Sequence, residues 1–358
     1  MRPPSPPPPG WRDEGPGLWG AGFIGSHVVD ALLQRGDTVL CLDSLDPGVH
    51  RRPPEYLRSE VDYCIADLRH WSPDQRCEDV EAIVHLAALG GVARAAREPA
   101  NIISANAAGT ARLYESARAW PKLRRFVLIS SFSIYGAGYR YYCPACGHEQ
   151  GAARLPAALG AARFEVACES CGRDCSVLPI REDARPDPLE TYGASKYMQE
   201  LALRGLDPAV LAILRLSSVY GPRLRLEDGE ATIIAKLAGW IQAGHSPSLF
   251  EDGEQLRDWV WVGDVVDAVL ALLDGRGAPV TNVCSGQGTS LRQACQVLAG
   301  ILGRNCAPRI VGGFRPGDMR HCLGDPTRLT ELLGRPPLSF AAGARLAFLP
   351  APAALPRP

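Results

Sequence analysis

The sequence has no excess of either charge: 38 Lys and Arg stand against 39 Asp and Glu, a formal net charge of -1. That balance gives no electrostatic footprint for a nucleic acid or an anionic membrane. No apolar run approaches the roughly 18 residues that a membrane span requires. The proline-rich start lacks the basic residues and apolar core of a secretory signal, so a cytosolic protein is expected. In that reducing compartment the twelve cysteines are expected as free thiols and metal ligands rather than disulfides. The last absence is architectural. Residues 1–19 hold no strand-like apolar run: seven prolines fall by Pro16, and Asp13 and Glu14 add charge. Residues 1–18 and the Pro- and Ala-rich residues 349–358 read as disordered tails.

From Gly20 onward the chain is strongly patterned. Gly20-Ala21-Gly22-Phe23-Ile24-Gly25 opens a helix with Val28, Val29, Leu32 and Leu33 on one face. Gly36 ends that helix, and Thr38–Leu42 is a buried-strand run closing on Asp43. Such a glycine turn lets the backbone approach a pyrophosphate, which rests on the helix N-terminus. An acid some 20 residues on accepts hydrogen bonds from ribose hydroxyls and repels a 2′-phosphate, so NAD is expected over NADP. Further strands are expected at Val61–Ala66, Ala82–Leu86, Phe126–Ile129 and Leu211–Leu216, with a helix over Asn101–Ala119. Alternating strands and helices imply an α/β fold, a doubly wound parallel sheet with ligands at the strand carboxyl ends. Beyond Tyr220 the pattern loosens. Helices are expected over Glu230–Ala243, up to Leu273, and from a Thr289 or Ser290 cap to Leu302.

Chemistry-bearing residues concentrate between Ser131 and Lys196. Ser130-Ser131 ends the Phe126 strand. Tyr192 and Lys196 stand four apart, hence on one helix face. An ammonium there can lower a phenol's pKa and suit it to proton transfer near neutral pH. Between them lie two cysteine knuckles, Cys143-Pro-Ala-Cys146 and Cys168-Glu-Ser-Cys171, with 21 residues between the pairs. Four thiolates so spaced make a closed tetrahedral structural zinc site; free thiols or disulfides are the alternatives. Cys175 is a spare thiol or an alternative ligand. A metal can order such an insertion, taken as residues 138–181, without a core of its own.

Together these residues resemble the extended short-chain dehydrogenase/reductases, and within them the nucleotide-sugar epimerase/dehydratase group. The resemblance runs from about Gly20 to Phe348. It rests on the Gly20–His27 turn, His85-Leu86-Ala87-Ala88, Asn106–Thr110, Ser130–Gly136, the Tyr192/Lys196 pair, Leu214–Arg223 and Arg257-Asp258. It implies Tyr192 as acid/base, Lys196 holding the nicotinamide ribose, and Ser131 hydrogen-bonding the reacting sugar oxygen. Gly22, Phe23, Ile24, Gly25, Asp43, Asp67, Leu68, Ala87 and Asn106 match NAD-contacting positions. Arg257 and Arg315 match arginines that grip the diphosphate, Asp318 a ribose-binding acid, and Ser218 a position near the substrate phosphate. The knuckles after Ser-Ile-Tyr-Gly, the stretch Leu42–His50 and the run Arg315–Cys322 are similar to the dTDP-L-rhamnose 4-epimerase branch.

The resemblance implies NAD-dependent epimerisation at C4 of a nucleotide-diphosphate sugar. UDP-glucose- or UDP-glucuronate-type 4-epimerisation is the alternative, and a non-catalytic NAD-binding relic is a rival of another class. A homodimer through the Asn101–Ala119 and Tyr192 helices is implied too. An NAD-binding domain is expected over 19–218 and a substrate domain over 219–348, with 262–274 returning to the first. Two departures shape the expectations. The apolar first strand ending Thr-Gly-Gly is missing, and Trp19 stands where the first motif glycine belongs. The chain as written is therefore expected to fold poorly or bind NAD weakly, with the native frame encoding a Val/Ile-rich strand just before Ala21. The loop Gly90–Arg97 and Ser218 differ from the branch and leave the sugar open.

Overall fold

The computed structural model describes residues 20–46, 50, 54–224, 232–315 and 318–349. Expectations resting on Leu18, Trp19, Pro47, Val49, Glu230, Pro316 and Gly317 lie outside them.

Helix α1 (Phe23–Arg35) begins at the glycine turn and stops at Gly36, which takes the left-handed conformation. Strands β1 (Leu40–Asp43), β2 (Asp62–Ile65) and β3 (Ala82–His85) come next. The single helix expected over Asn101–Ala119 is divided. After α2 (Val92–Arg97), α3 (Pro99–Ile103) runs through a π turn (Ser104–Ala108) into α4 (Gly109–Ala117). Such π turns cluster at functional sites, and this one carries Asn106.

Strand β4 (Arg125–Ser131) is buried over Phe126–Ser130. The insertion then folds as β5 (Arg140–Tyr142), β6 (Glu149–Gly151), the short α5 (Pro156–Gly160) and β7 (Ser176–Val177), in a three-stranded antiparallel sheet. Helix α6 (Thr191–Ala202) carries the Tyr/Lys pair and leads to β8 (Leu211–Leu216). Beyond it come β9 (Ser218–Tyr220), α7 (Ile233–Gln242), β10 (Ser248–Leu249), β11 (Leu256–Trp261), α8 (Val262–Leu273) and β12 (Val280–Val283). The chain closes through β13 (Gly288–Ser290), α9 (Leu291–Ile301), β14 (Arg309–Ile310), α10 (Thr327–Leu333) and α11 (Phe340–Phe348). Ser290 caps α9 in a capping box with Gln293, satisfying two end donors reciprocally.

The parallel sheet comes in two pieces. β3, β4, β8 and β12 pair in that order, and β1 pairs with β2. Among the described residues no strand joins β1 to β3. The two pieces nevertheless share both layers of the core. Val39 and Cys41 pack in one cluster with Val84 and Val127, under α1 and α8. Leu42 and Cys64 pack in the other with Ile83 and Phe126. Among the described residues the split lies between β1 and β3, spanned by this shared burial and by the Arg94–Asp46 ion pair. A separate core gathers Tyr220, Leu237, Trp259, Leu298 and Phe340 from the C-terminal half.

The insertion differs from expectation in having a core. Tyr135, Tyr139, Tyr141, Cys143, Val166 and Cys168 are buried together, and Met319 and Cys322 pack against them.

Backbone groups on a strand edge open to solvent readily, and among the described residues β1 and β3 each have one such edge. We expect amides of β1 and β3 that point away from β2 and β4 to exchange faster with solvent deuterium than those between β4 and β8. Equal protection across both pieces would contradict the split.

Candidate functional site

β4 delivers its carboxyl end, Ser130-Ser131, to the start of α6. The helix comes close because residue 193 is glycine: a Cβ there would stand 2.4 Å from the Ser133 carbonyl oxygen. Glu190 caps α6, its carboxylate accepting from the Tyr192 and Gly193 amides at 2.6 and 2.8 Å. The Tyr192 phenol thereby comes within electrostatic reach of the Ser131 hydroxyl. Burial and the Glu190 charge push the Tyr192 phenol up to about 12, while Ser131 pulls it down.

Lys196, expected to tune that phenol electrostatically, has its hydrogen-bond partners elsewhere. Its ammonium, buried one turn on, donates to the Ile129 carbonyl at 2.6 Å and to Gln199 Oε1 at 2.5 Å. Burial pulls it down to about 7, against the opposing pull of Glu200. Gln199 in turn donates to the Ala87 carbonyl at 3.0 Å and to Thr110 at 2.7 Å. Beneath this layer Glu200 accepts from Ser130 at 2.6 Å and from Arg215 at 2.9 Å. Arg215 also donates to Tyr135, whose hydroxyl donates to Asn282. Four elements, β4, α6, β8 and β12, are thus locked under the Ser131/Tyr192 contact.

The residues expected to meet the cofactor fall along the strand ends. Gly22 is extended and leads into α1, whose N-terminus has no side-chain cap among the described residues, and a Cβ on Gly22 would meet only open space. Uncapped amides beside open space are what a pyrophosphate needs, so Gly22, Phe23, Ile24 and Gly25 fit one. Asp43 is buried at the end of β1 and accepts from the Ala21 and Leu45 amides at 3.2 and 2.9 Å. Burial raises its carboxyl to about 6. Asn106 is fully buried and is held by Leu89 and by Ser195 on α6. Ala87 is buried at the end of β3, Leu68 packs in the core, and Asp67 pairs with Arg69.

Of the residues expected to meet the substrate, Arg257, Arg315 and Asp318 lie near one another. Arg257 on β11 donates to the Leu256 and Arg320 carbonyls at 2.8 and 3.1 Å. Arg315 lies 5.0 Å over the Phe250 ring. Arg257 and Arg315 are both in electrostatic reach of Asp318. Ser218 sits apart on β9, paired with Trp259 of β11. Gln199 carries no motif of its own, and Arg215, although within the Leu214–Arg223 stretch, was given no role; their partners lie far off in sequence.

Cys143, Cys146, Cys168 and Cys171 bring their four sulfurs within 4.8 Å of one another. The Cys143–Cys171 and Cys146–Cys168 sulfurs are 3.7 and 3.8 Å apart. A tetrahedral ion with bonds of about 2.3 Å to sulfur has edges of about 3.8 Å, so the set fits zinc. The two knuckles match: Gly147 donates to the Cys143 carbonyl and Gly172 to that of Cys168, both glycines left-handed. Cys175 is buried beside the four without joining them.

An amine whose folded pKa is depressed binds fewer protons folded than unfolded. Between about 7 and its ordinary value of about 10.4, stability from this group rises with pH; the penalty is fullest below about 7. We expect the wild type to show that rise in thermal unfolding, and Lys196→Met to lack it. Parallel pH curves for the two proteins would contradict the desolvated ammonium.

Known proteins share this outline. The model of the NAD dependent epimerase/dehydratase family matches residues 19–153 and 161–284. The chain is 31% identical over 330 residues to a dTDP-L-rhamnose 4-epimerase of Burkholderia thailandensis, covering 89% of each. It is 32% identical to a UDP-glucose 4-epimerase of Mycolicibacterium smegmatis, covering 90% of this chain and 93% of the relative. The structure is similar to that of Thermotoga maritima UDP-glucose 4-epimerase with UDP-glucose: TM-score 0.71, 29% identity, 92% of this chain and 95% of the other covered. It is also similar to Thermus thermophilus UDP-glucose 4-epimerase in complex with NAD: TM-score 0.69, 28% identity, 92% and 96% covered. A sheet ending in Ser131 against Tyr192, an open glycine turn before α1 and a family match over most of its length place this chain in the NAD-dependent epimerase/dehydratase family.

Proposed function

We propose that the protein is an NAD-dependent epimerase acting at C4 of a nucleotide-diphosphate sugar, with dTDP-L-rhamnose as the first substrate to test. The observation that carries this reading is the approach of the Tyr192 phenol to Ser131 at the end of β4, one helical turn from a buried Lys196. Bound NAD supplies reversible oxidation at the carbon. The chain's own residues handle the proton and the geometry. Tyr192 takes the proton of the C4 hydroxyl and returns it after the sugar has turned. Ser131 holds the sugar oxygen throughout. Arg257 and Arg315 anchor the diphosphate, so the ring can rotate without leaving; a guanidinium's planar fork suits that grip. UDP-glucose and UDP-glucuronate are the alternative substrates.

The four cysteines hold one structural zinc per chain, since four thiolates leave no open position for substrate. Metal analysis of protein purified without chelator should find it, and its absence would defeat the assignment. A homodimer fits the exposed Ile103 on α3 and Met198 and Leu201 on α6, the two helices implied to pack against their mates.

One observation favours the non-catalytic reading: among the described residues the sheet lacks a strand between β1 and β3, beside the cofactor turn. NAD content of the purified protein separates the two.

Tyr192→Phe should lower turnover by about 10²–10⁴-fold, the range for a general acid/base group, while bound NAD is retained. Assay of the variant on a panel of dTDP- and UDP-sugars checks this. A variant within about tenfold of wild type would remove Tyr192 from the role.

A further inference from the structure

The cysteine insertion is bolted to the diphosphate end of the site, and the bolt is ionic. Arg320 is fully buried and donates to three carboxylates: Glu165 of the insertion, and Glu251 and Asp252 of the loop after β10. Its contacts with Glu251 Oε2 and Asp252 Oδ1 are 2.8 and 2.7 Å. Glu165 carries a second partner. The Leu256 amide donates to His321 Nδ1 at 3.1 Å, which leaves Nε2 to donate to Glu165 Oε2 at 2.8 Å. Arg154, also of the insertion, crosses the same seam. It donates to Glu251 at 2.8 Å and to the Asp318 carbonyl at 2.5 Å.

Apolar and backbone contacts repeat the link. Met319 and Cys322 pack into the core that holds Cys143 and Cys168, and the Tyr141 and His321 rings lie 6.2 Å apart. As the chain leaves the insertion, Ile180 donates to the Leu323 carbonyl and Asp325 donates back to Ile180. Residues 318–325 are therefore held between the insertion on one side and β11 on the other. The carbonyls of Met319 and Arg320 in turn receive the Arg257 guanidinium.

A buried arginine that loses one of its carboxylates keeps its desolvation cost and seeks new partners. Here any such movement displaces the carbonyls that aim Arg257. We propose that the cysteine insertion is a positioning element for nucleotide binding: through Glu165 and Arg154 it fixes residues 318–322, and through them the direction of Arg257. The inference rests on the reading of Arg257 as a diphosphate ligand. It separates two jobs in the protein, with the insertion setting nucleotide affinity and the Ser131/Tyr192 end setting the chemistry.

The test is Glu165→Gln in the full chain, with Glu165→Asp as the conservative variant and Arg154→Lys as a second entry into the network. Two readouts are needed. Titration calorimetry with dTDP and UDP, and KM where a sugar is turned over, should show about tenfold or more weakening in Glu165→Gln, with kcat and NAD content within about twofold of wild type. Glu165→Asp should recover part of the loss, and Arg154→Lys should show a smaller one. Amide exchange over residues 318–322, measured without ligand, should quicken in Glu165→Gln or, if that variant does not fold, in Arg154→Lys. Unchanged exchange there would overturn the clamp, as would a fall in kcat with nucleotide affinity intact. Wild-type protein that binds neither dTDP nor UDP would instead overturn the reading of Arg257, a failure the exchange measurement does not share.

Discussion

The arrangement depends on one desolvated ammonium. Lys196 is buried against the end of β4 and spends its protons on the Ile129 carbonyl and Gln199. A charge so placed is costly unless its donors are met, and the surroundings are built to meet them. Gln199 is oriented by Ala87 and Thr110. Glu200, one residue on, is held by Ser130 and Arg215. The same helix face therefore ties α6 to β3, the π turn's neighbour Thr110, β4 and β8. Tyr192 is delivered to Ser131 as a consequence of that packing. Burial disfavours the charged form of both groups, raising the phenol to about 12 and lowering the ammonium to about 7.

The split sheet shows which interactions hold the N-terminal half together. No ladder joins β1 to β3 among the described residues, yet Cys41, Leu42, Ile83 and Val84 remain buried in two shared clusters. Burial is non-directional and tolerates the gap, whereas backbone pairing does not. The site divides along the same line. Ser131, Tyr192 and Lys196 belong to the intact four-stranded piece and its helices. Asp43 belongs to the two-stranded piece, and the glycine turn contacts it through Ala21. Among the described residues the Ser131, Tyr192 and Lys196 group therefore lies on the four-stranded piece, and Asp43 on the two-stranded one.

What was legible in the sequence was local. The Tyr192/Lys196 spacing, the Cys-x-x-Cys knuckles and the Leu211–Leu216 strand are all written within a few residues, so period and spacing report them directly. Illegible were the partners that meet across long separations: Gln199 with Thr110, Arg215 with Tyr135, and Arg320 with Glu165. Some of these residues lie in recognised stretches, but none of the pairings is written locally; each is defined by the fold. The π turn at Asn106 and the aromatic core of the insertion were hidden for a different reason. A helical period does not show an extra backbone residue, and Tyr135, Tyr139 and Tyr141 align only once the chain turns after β4. The Lys196 ammonium likewise faces β4 rather than the phenol, since four-residue spacing sets a shared face and not a shared contact.

The central claim is that Ser131 and Tyr192 serve a reversible oxidation at C4 of a nucleotide-bound sugar. The most direct measurement is turnover of a dTDP- or UDP-sugar carrying deuterium on C4, with the product examined by NMR. The account predicts inversion at C4 with the deuterium kept on that carbon and no label gained there from solvent. Loss of the deuterium to water, or inversion at another carbon, would contradict it.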